Sequence, residues 1–226
     1  AFLLSTAYSF FPSGTVHLVV VDPGVGTERR ALAVQTRGNF FVAPDNGVLS
    51  YVVEAALGAN PGSFPQLSDR PLGSEVAVVA LTRPQFWRHP VSSTFHGRDI
   101  FAPVAAYLSR GLSLFELGEP VFSVQAFPFP RPQRGGSSLV GRVLHVDHFG
   151  NVITNLGHSD LPAGRFAVEV SGRRIEGPSN TYAGAGPLLS LIGSSGYLEI
   201  AAAMGNAASE LGVDMGAEVI VTALPS

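Results

Sequence analysis

The chain has 226 residues, 46% hydrophobic and 14% charged, which is enough for one large domain or two small ones and too apolar for disorder. A formal net charge of −3 with no basic block leaves out the phosphate-neutralising surface that a nucleic-acid binder needs. The absence of cysteine excludes disulfides, thiolate nucleophiles and cysteine-ligated zinc, and no apolar run reaches the ~20 residues of a membrane-spanning helix.

The opening, AFLLSTAYSFFPSG, has neither a basic leader nor a small-residue cleavage pattern, so no signal peptide is expected and a cytoplasmic location is. It also lacks an initiator Met and starts in what reads as mid-helix, as a piece of a longer chain would. Thr15 to Val21 (TVHLVVV) is a short β-branched run and predicts a strand buried on both faces. Ala31 to Thr36 and Asn39 to Ala43 predict two strands joined at Arg37-Gly38. Gly47 to Leu57 has helical spacing and stops at Gly58, and Pro/Gly-rich residues 58–74 read as an exposed loop. Glu75 to Leu81 predicts another buried strand. Asp99 is placed to cap a helix over IFAPVAAYLSR that ends on Arg110. Strands alternating with helices predict a layered α/β domain over residues 1–130.

Composition then shifts. Residues 131–138 close a Pro/Gly-rich stretch, FPFPRPQRGGSS, and read as a linker. Beyond it LVGRVLHVDHFGNVITNL, RFAVEVSGRRIEG, GYLEIAAA and AEVIVTAL predict strands, with one short helix over Gly205 to Leu211. Residues 139–226 therefore read as a second, mostly β domain.

Five stretches combine turn geometry with reactive side chains. DPGVGTERR follows a strand end, where an α/β sheet binds small molecules, but it has the glycine spacing of neither a dinucleotide site nor a phosphate-binding loop. On the motif alone a tight turn, its Asp accepting backbone hydrogen bonds and its arginines solvated, is the favoured reading. APDNG (43–47) is strong turn chemistry. In SSTFHGRDIFAP, His96 stands between an aromatic and a glycine, as a structural histidine or a reactive one. In HVDHFGNVITN, His145 and Asp147 share a strand face that His148 does not, so the three cannot converge on a metal unless the strand breaks. Phe149 is suited to stacking, and the Asn151 amide, donor and acceptor in one, to a purine edge. In GSSGYLEIAAAMGNAASELG, Ser194 and Ser195 can hold a carboxylate through hydroxyls and backbone N–H groups, or simply turn a hairpin.

In this order the motifs VVVDPGVGT…R, APDNG, TFHGRDIFAP, DHFGNVITN and SGYLEIA…GNAA resemble those of the S-adenosylmethionine (SAM) hydroxide adenosyltransferases, the hydrolytic branch of the family that includes the SAM-dependent chlorinases and fluorinases. The likeness runs from about residue 1 to the C-terminus, with residues 58–74 as an insertion. It implies an α/β N-terminal domain, a smaller β-barrel-like C-terminal domain, and a homotrimer with ligand sites at subunit interfaces. It also implies that water or hydroxide attacks the ribose 5′ carbon of SAM, releasing adenosine and L-methionine, with no metal and no cofactor. The hydrolytic branch is marked by an Asp–Arg–His set, which falls here on Asp22, on Arg29 by spacing (with Arg30 the other occupant), and on His96. Gly97 stands where fluorinating enzymes carry a halide-contacting serine, so water is expected rather than halide. By the same resemblance Phe149 and Asn151 meet the adenine, Asp147 the methionine ammonium, Ser194 and Ser195 the methionine carboxylate, and the backbone of Gly205, Asn206 and Ala207 the adenine. The family's ribose-gripping aspartate has no match in residues 1–14. Three other readings remain open: an adenosine- or SAM-binding module without turnover, SAM-dependent halogenation, and metal-dependent hydrolysis through His145 and Asp147.

Overall fold

The structure, a computed structural model, describes residues 1–58, 66–183 and 186–225. It divides into two compact units, Ala1–Phe129 and Pro130–Ser226.

The first unit begins with helix α1 (Phe2–Ala7) and strands β1 (Val16–Leu18), β2 (Ala31–Thr36) and β3 (Asn39–Pro44). Helix α2 (Ser50–Leu57), β4 (Ser68–Pro71), β5 (Val76–Leu81), helix α3 (Ala102–Ser109), β6 (Gly118–Pro120) and β7 (Ser123–Ala126) follow. Five strands form one sheet in the order β1-β3-β2-β5-β6, with β1 parallel to β3 and every other pair antiparallel. The β2–β3 hairpin turns at Arg37 and Gly38, both at positive φ, the geometry that matches the right-handed twist of paired strands.

Alternation along these strands builds the layers. Leu32 and Val34 of β2, Phe41 and Ala43 of β3 and Val78 of β5 pack on one face with Leu49, Val52 and Val53 at helix α2. Ala33, Val42, Val79 and Leu81 point the other way, onto Val104 and Leu108 of α3. A sheet covered by helices on both faces is the expected layered α/β arrangement.

Three expectations change here. The run Thr15 to Val21 is not buried on both faces: its strand is only Val16–Leu18, among the described residues it pairs with β3 alone, and Leu18, Val20 and Val21 are exposed. A continuous apolar run is common to central and edge strands, and only the pairing separates them. Of residues 58–74, read as a loop, Ser68–Pro71 form β4 and pair with β7, while 59–65 lie outside the described residues. Asp99 caps no helix; it sits inside a π-helical turn, Gly97–Phe101, that precedes α3.

The second unit carries β8 (Gln133–Gly135), β9 (Ser138–Val146), β10 (Val152–Gly157), β11 (Phe166–Val170), β12 (Arg173–Gly177), β13 (Leu188–Ile192), β14 (Tyr197–Ala202), helix α4 (Ala207–Leu211) and β15 (Glu218–Ala223). The sheet runs β12-β11-β15-β9-β10-β14-β13, with β8 also on β9. Residues 131–138, read as a linker, thus include a strand that hairpins onto the start of β9. The sheet curls until its ends approach, where Ser179 N–H donates to the Ser190 carbonyl at 2.7 Å. Val143, Val152, Leu156, Phe166, Val168, Leu198, Ile200 and Val221 fill the interior of this nearly closed barrel.

Candidate functional site

In the first unit the reactive side chains collect at one edge of the sheet. The carboxyl ends of β1, β3 and β5 and the start of β2 all lie there, because β2 runs antiparallel to both β3 and β5. This is the edge at which open α/β sheets hold ligands.

Asp22 leaves the end of β1 four residues past Leu18, and Arg29 lies just before β2. Arg29 Nε donates to Asp22 Oδ1 at 2.8 Å, and its terminal nitrogen donates to Asp22 Oδ2, a bidentate pair. The same terminal nitrogen lies 2.8 Å from His96 Nδ1. Side-chain exposure is only 9% for Arg29 and 6% for Asp22, so these arginine and aspartate side chains are not solvated turn residues. The guanidinium carbon also stands 5.3 Å from the centre of the Phe101 ring, a cation–π contact beneath the cluster. A guanidinium has no acceptor, so the hydrogen bond to His96 requires Nδ1 to accept and leaves the ring proton on Nε2.

Arg30 takes a different partner. Its Nε donates to Asp45 Oδ2 at 2.7 Å and its terminal nitrogen to the Ser123 carbonyl at 3.0 Å, while Asp45 Oδ1 accepts from Gln125 N–H at 2.8 Å. Beside it Asn46 Nδ2 donates to the Val21 carbonyl at 2.9 Å. The APDNG turn therefore braces the residue before Asp22 and removes Arg30 from the cluster.

The loop carrying His96 is held from below by Asp99, which is fully buried. Arg98 Nε at 2.7 Å, Ser92 N–H at 2.9 Å and Arg88 at 3.1 Å all donate to its carboxylate. The Arg98 bond first and the Ser92 N–H next, reinforced by Arg88 against the opposing effect of burial, hold this carboxyl well below the usual carboxylate range. Two glycines let the loops meet. A Cβ on Gly26 (φ +80°) would lie 2.5 Å from the Ser93 carbonyl oxygen, and one on Gly97 would lie 2.8 Å from Val20 Cγ1. In this chain the DPGVGT and FHG glycines bring the Asp22 and His96 loops together, a role that spacing alone does not reveal.

In the second unit β9 ends at Val146 and the chain turns through Asp147 to Gly150. Asp147 Oδ1 accepts from the N–H groups of Phe149 (2.9 Å) and Asn151 (2.8 Å), and Oδ2 from Asn151 Nδ2 (2.9 Å). The turn thus fixes the Asn151 amide and leaves Phe149 76% exposed. Asn206 caps α4, its side-chain oxygen accepting from Ser209 N–H at 2.8 Å, and Ala208 N–H donates to the Gly150 carbonyl at 3.0 Å. The FGN and GNAA segments are therefore neighbours. Ala207 is wholly buried, backbone included, while Gly205 and Asn206 are exposed. Ser194 and Ser195 sit on the β13–β14 hairpin turn, which Gly196 N–H closes onto the Gly193 carbonyl at 2.9 Å. Among the described residues no three His, Asp or Glu side chains gather into a metal-binding group, and no helix is long and apolar enough to cross a membrane.

Sequence reasoning missed Phe101, Tyr182 and Glu199. Phe101 and Glu199 stand within quoted motifs, but nothing local shows that one ring lies under Arg29 or that Glu199 accepts a hydrogen bond from the Tyr182 hydroxyl at 2.8 Å.

Comparison with known proteins gives a consistent result over nearly the whole chain. Residues 1–118 match the SAM hydroxide adenosyltransferase N-terminal domain and residues 141–220 its C-terminal domain. An (R)-S-adenosyl-L-methionine hydrolase from Salinispora tropica is 39% identical over 99% of this chain and 80% of its own length. The enzyme of that name from Thermus thermophilus is 38% identical over 97% and 80%, and that from Methanocaldococcus jannaschii 30% identical over 95% and 73%. Among solved structures, an uncharacterized conserved protein from Thermotoga maritima superposes with a TM-score of 0.79 at 33% identity, covering 98% of this chain and 82% of that one. A conserved hypothetical protein from Thermus thermophilus gives 0.68 at 33%, covering 97% and 79%. With both domains matched in order and the same fold in these neighbours, the chain belongs to the SAM hydroxide adenosyltransferase family.

Proposed function

We propose that this chain hydrolyses S-adenosyl-L-methionine to adenosine and L-methionine, and that it takes the (R)-sulfonium epimer named in its relatives. The observation that carries this reading is Arg29 bound on one side to Asp22 and on the other to His96 Nδ1 at 2.8 Å.

Water has a pKa of about 15.7 and needs a base or a positive field to attack carbon. The His96 Nε2–H donates to the attacking oxygen, the Arg29 charge stabilises negative charge developing there, and a remaining Asp22 lone pair accepts the water proton. The new bond joins water oxygen to C5′. The C5′–S bond breaks with its electron pair going to sulfur, so methionine departs as a neutral thioether and needs no acid. One proton is released. No step uses a metal or a cofactor.

In the second unit Phe149 stacks on the adenine, the Asn151 amide and the exposed backbone of Gly205 and Asn206 meet its edge with Ala207 packed behind them, Asp147 attracts the methionine ammonium, and Ser194 with Ser195 hold the carboxylate. The exposed Phe149 ring and the fixed Asn151 amide support that assignment. The same reading makes the protein a cytoplasmic homotrimer with its sites at subunit interfaces.

Incubation with each SAM epimer in halide-free buffer, followed by chromatography, tests the reaction. Adenosine and methionine in equal amounts, faster from the (R) epimer, are expected. Binding without product would make the chain a binding module, and loss of activity on chelation would favour the metal-dependent route.

A further inference from the structure

Tyr182 belongs to the segment between β12 and β13, which the proposed reaction does not use. That segment leaves the barrel at Ser179 and returns at Pro187, whose carbonyl accepts from Ala203 N–H at 3.2 Å. Between these ties the Tyr182 hydroxyl donates to Glu199 Oε2 at 2.8 Å. Glu199 is 7% exposed and lies on β14 beside Ile153 of β10 and Leu191 of β13, both buried apolar residues. A carboxylate on such a face is costly unless a donor reaches it, and Tyr182 supplies one. Burial first, then the Glu199 bond, and then the negative charges of Glu199 and Asp147 push the Tyr182 hydroxyl up to about 12, so it stays a donor throughout the physiological range.

The other oxygen of Glu199 lies under Gly193. A Cβ at that glycine would stand 1.7 Å from Oε1 and 2.2 Å from the carboxyl carbon, so any side chain there would push the Glu199 carboxylate out of this position. Gly193 opens the turn that carries Ser194 and Ser195, and its N–H donates to the Tyr197 carbonyl at 2.9 Å. The chain of contacts thus runs from the Tyr182 hydroxyl through a buried carboxylate to the backbone of the serine turn.

The geometry points to Tyr182 and Glu199 as positioning residues for the methionine end of the substrate: the hydroxyl fixes the carboxylate against Gly193, and the carboxylate holds the Ser194–Ser195 turn in its ligand-binding form. This rests on the assignment of those serines to the substrate carboxylate. Neither residue touches a reacting atom, so the effect belongs in substrate affinity and not in the chemical step.

The test compares KM, kcat and the Kd for SAM by calorimetric titration across Tyr182→Phe, Glu199→Ala, the double variant and Glu199→Gln. Losing one hydrogen bond to a charged group predicts KM and Kd up about tenfold in Tyr182→Phe and Glu199→Ala with kcat unchanged. The double variant rises no further than either single one, because both break the same contact. Glu199→Gln keeps an acceptor of the same shape and stays within about twofold of the parent. Unchanged KM and Kd in Tyr182→Phe overturns the inference, as does a Glu199→Gln variant as weak as Glu199→Ala. A parent chain that binds SAM without turning it over overturns the hydrolytic function and leaves Kd to decide this point; one that binds no SAM overturns both.

Discussion

Arg29 donates to a carboxylate on one side and to an imidazole on the other, whereas Arg30, one position along, turns to Asp45 and the Ser123 carbonyl. Replacing either removes one positive charge, yet the consequences separate. Arg29→Ala, His96→Ala and Asp22→Asn are expected to lower kcat about 100- to 1,000-fold in steady-state assays, the loss typical of a removed transition-state donor or base, while SAM still binds. Arg30→Ala is expected to leave kcat near the parent value and to cost about 1–3 kcal/mol in denaturant unfolding, because Asp45 stays buried with fewer donors. Equal loss of kcat in both arginine variants would mean that the site is not centred on Arg29. At this scale much was legible: Asp22, Arg29 and His96 are recognisable from their motifs. Spacing within the motif already favoured Arg29 over Arg30, but not the partners of either, since neighbouring residues on an irregular segment carry no fixed direction.

At the scale of elements, the site depends on loops and on an unusual turn more than on regular structure. The π-helical turn Gly97–Phe101 brings Phe101 under Arg29 and buries Asp99 beneath His96, an arrangement that a plain helix start would not give. Asp99 has a depressed folded-state pKa, so its contribution is present above the unfolded carboxylate value of about 3.9 and is lost as pH falls through the lower folded value. Asp99→Asn should therefore unfold at lower temperature than the parent at neutral pH, and the gap should narrow only as pH drops below about 4. Calorimetric melts across that range check the sign; a gap that widens with acidity would contradict it. Gly97→Ser is expected to lower kcat by displacing His96, since the added Cβ meets Val20. Asn206→Ala removes the side-chain cap of α4 and should cost about 1 kcal/mol in thermal unfolding. Hairpins such as β2–β3 and β11–β12 were legible from alternation and turn residues, whereas β4, β7, β8 and β13 were not. Short strands owe their pairing to distant partners and have little local signal.

Across the whole molecule the chain is built as two units, each with its own apolar core, and both family domains fall in the same order along it. It spans 80% of the Salinispora and Thermus relatives. Exposed apolar groups include Val20 and Val21 in the first unit and Phe149 and Met204 in the second, which accords with the proposed subunit interfaces. Light scattering is expected to give three chain masses, and Val21→Asp to reduce the assembly to single chains with lost activity. A monomer as active as the parent would remove the assembly from the mechanism. The motif series, read without coordinates, determined the family and the reaction, because turn-rich motifs are local and their order survives in the sequence. What only the tertiary structure decided is which atoms meet: Arg29 bonded to both Asp22 and His96 Nδ1 while Arg30 turns to Asp45, glycines that join two loops, Asp99 as a buried anchor, and the Tyr182–Glu199 contact beneath the serine turn. Those pairings span up to 77 positions, from Val20 to Gly97, and a contact of that range is set by sheet pairing and packing, which leave no trace in the residues on either side.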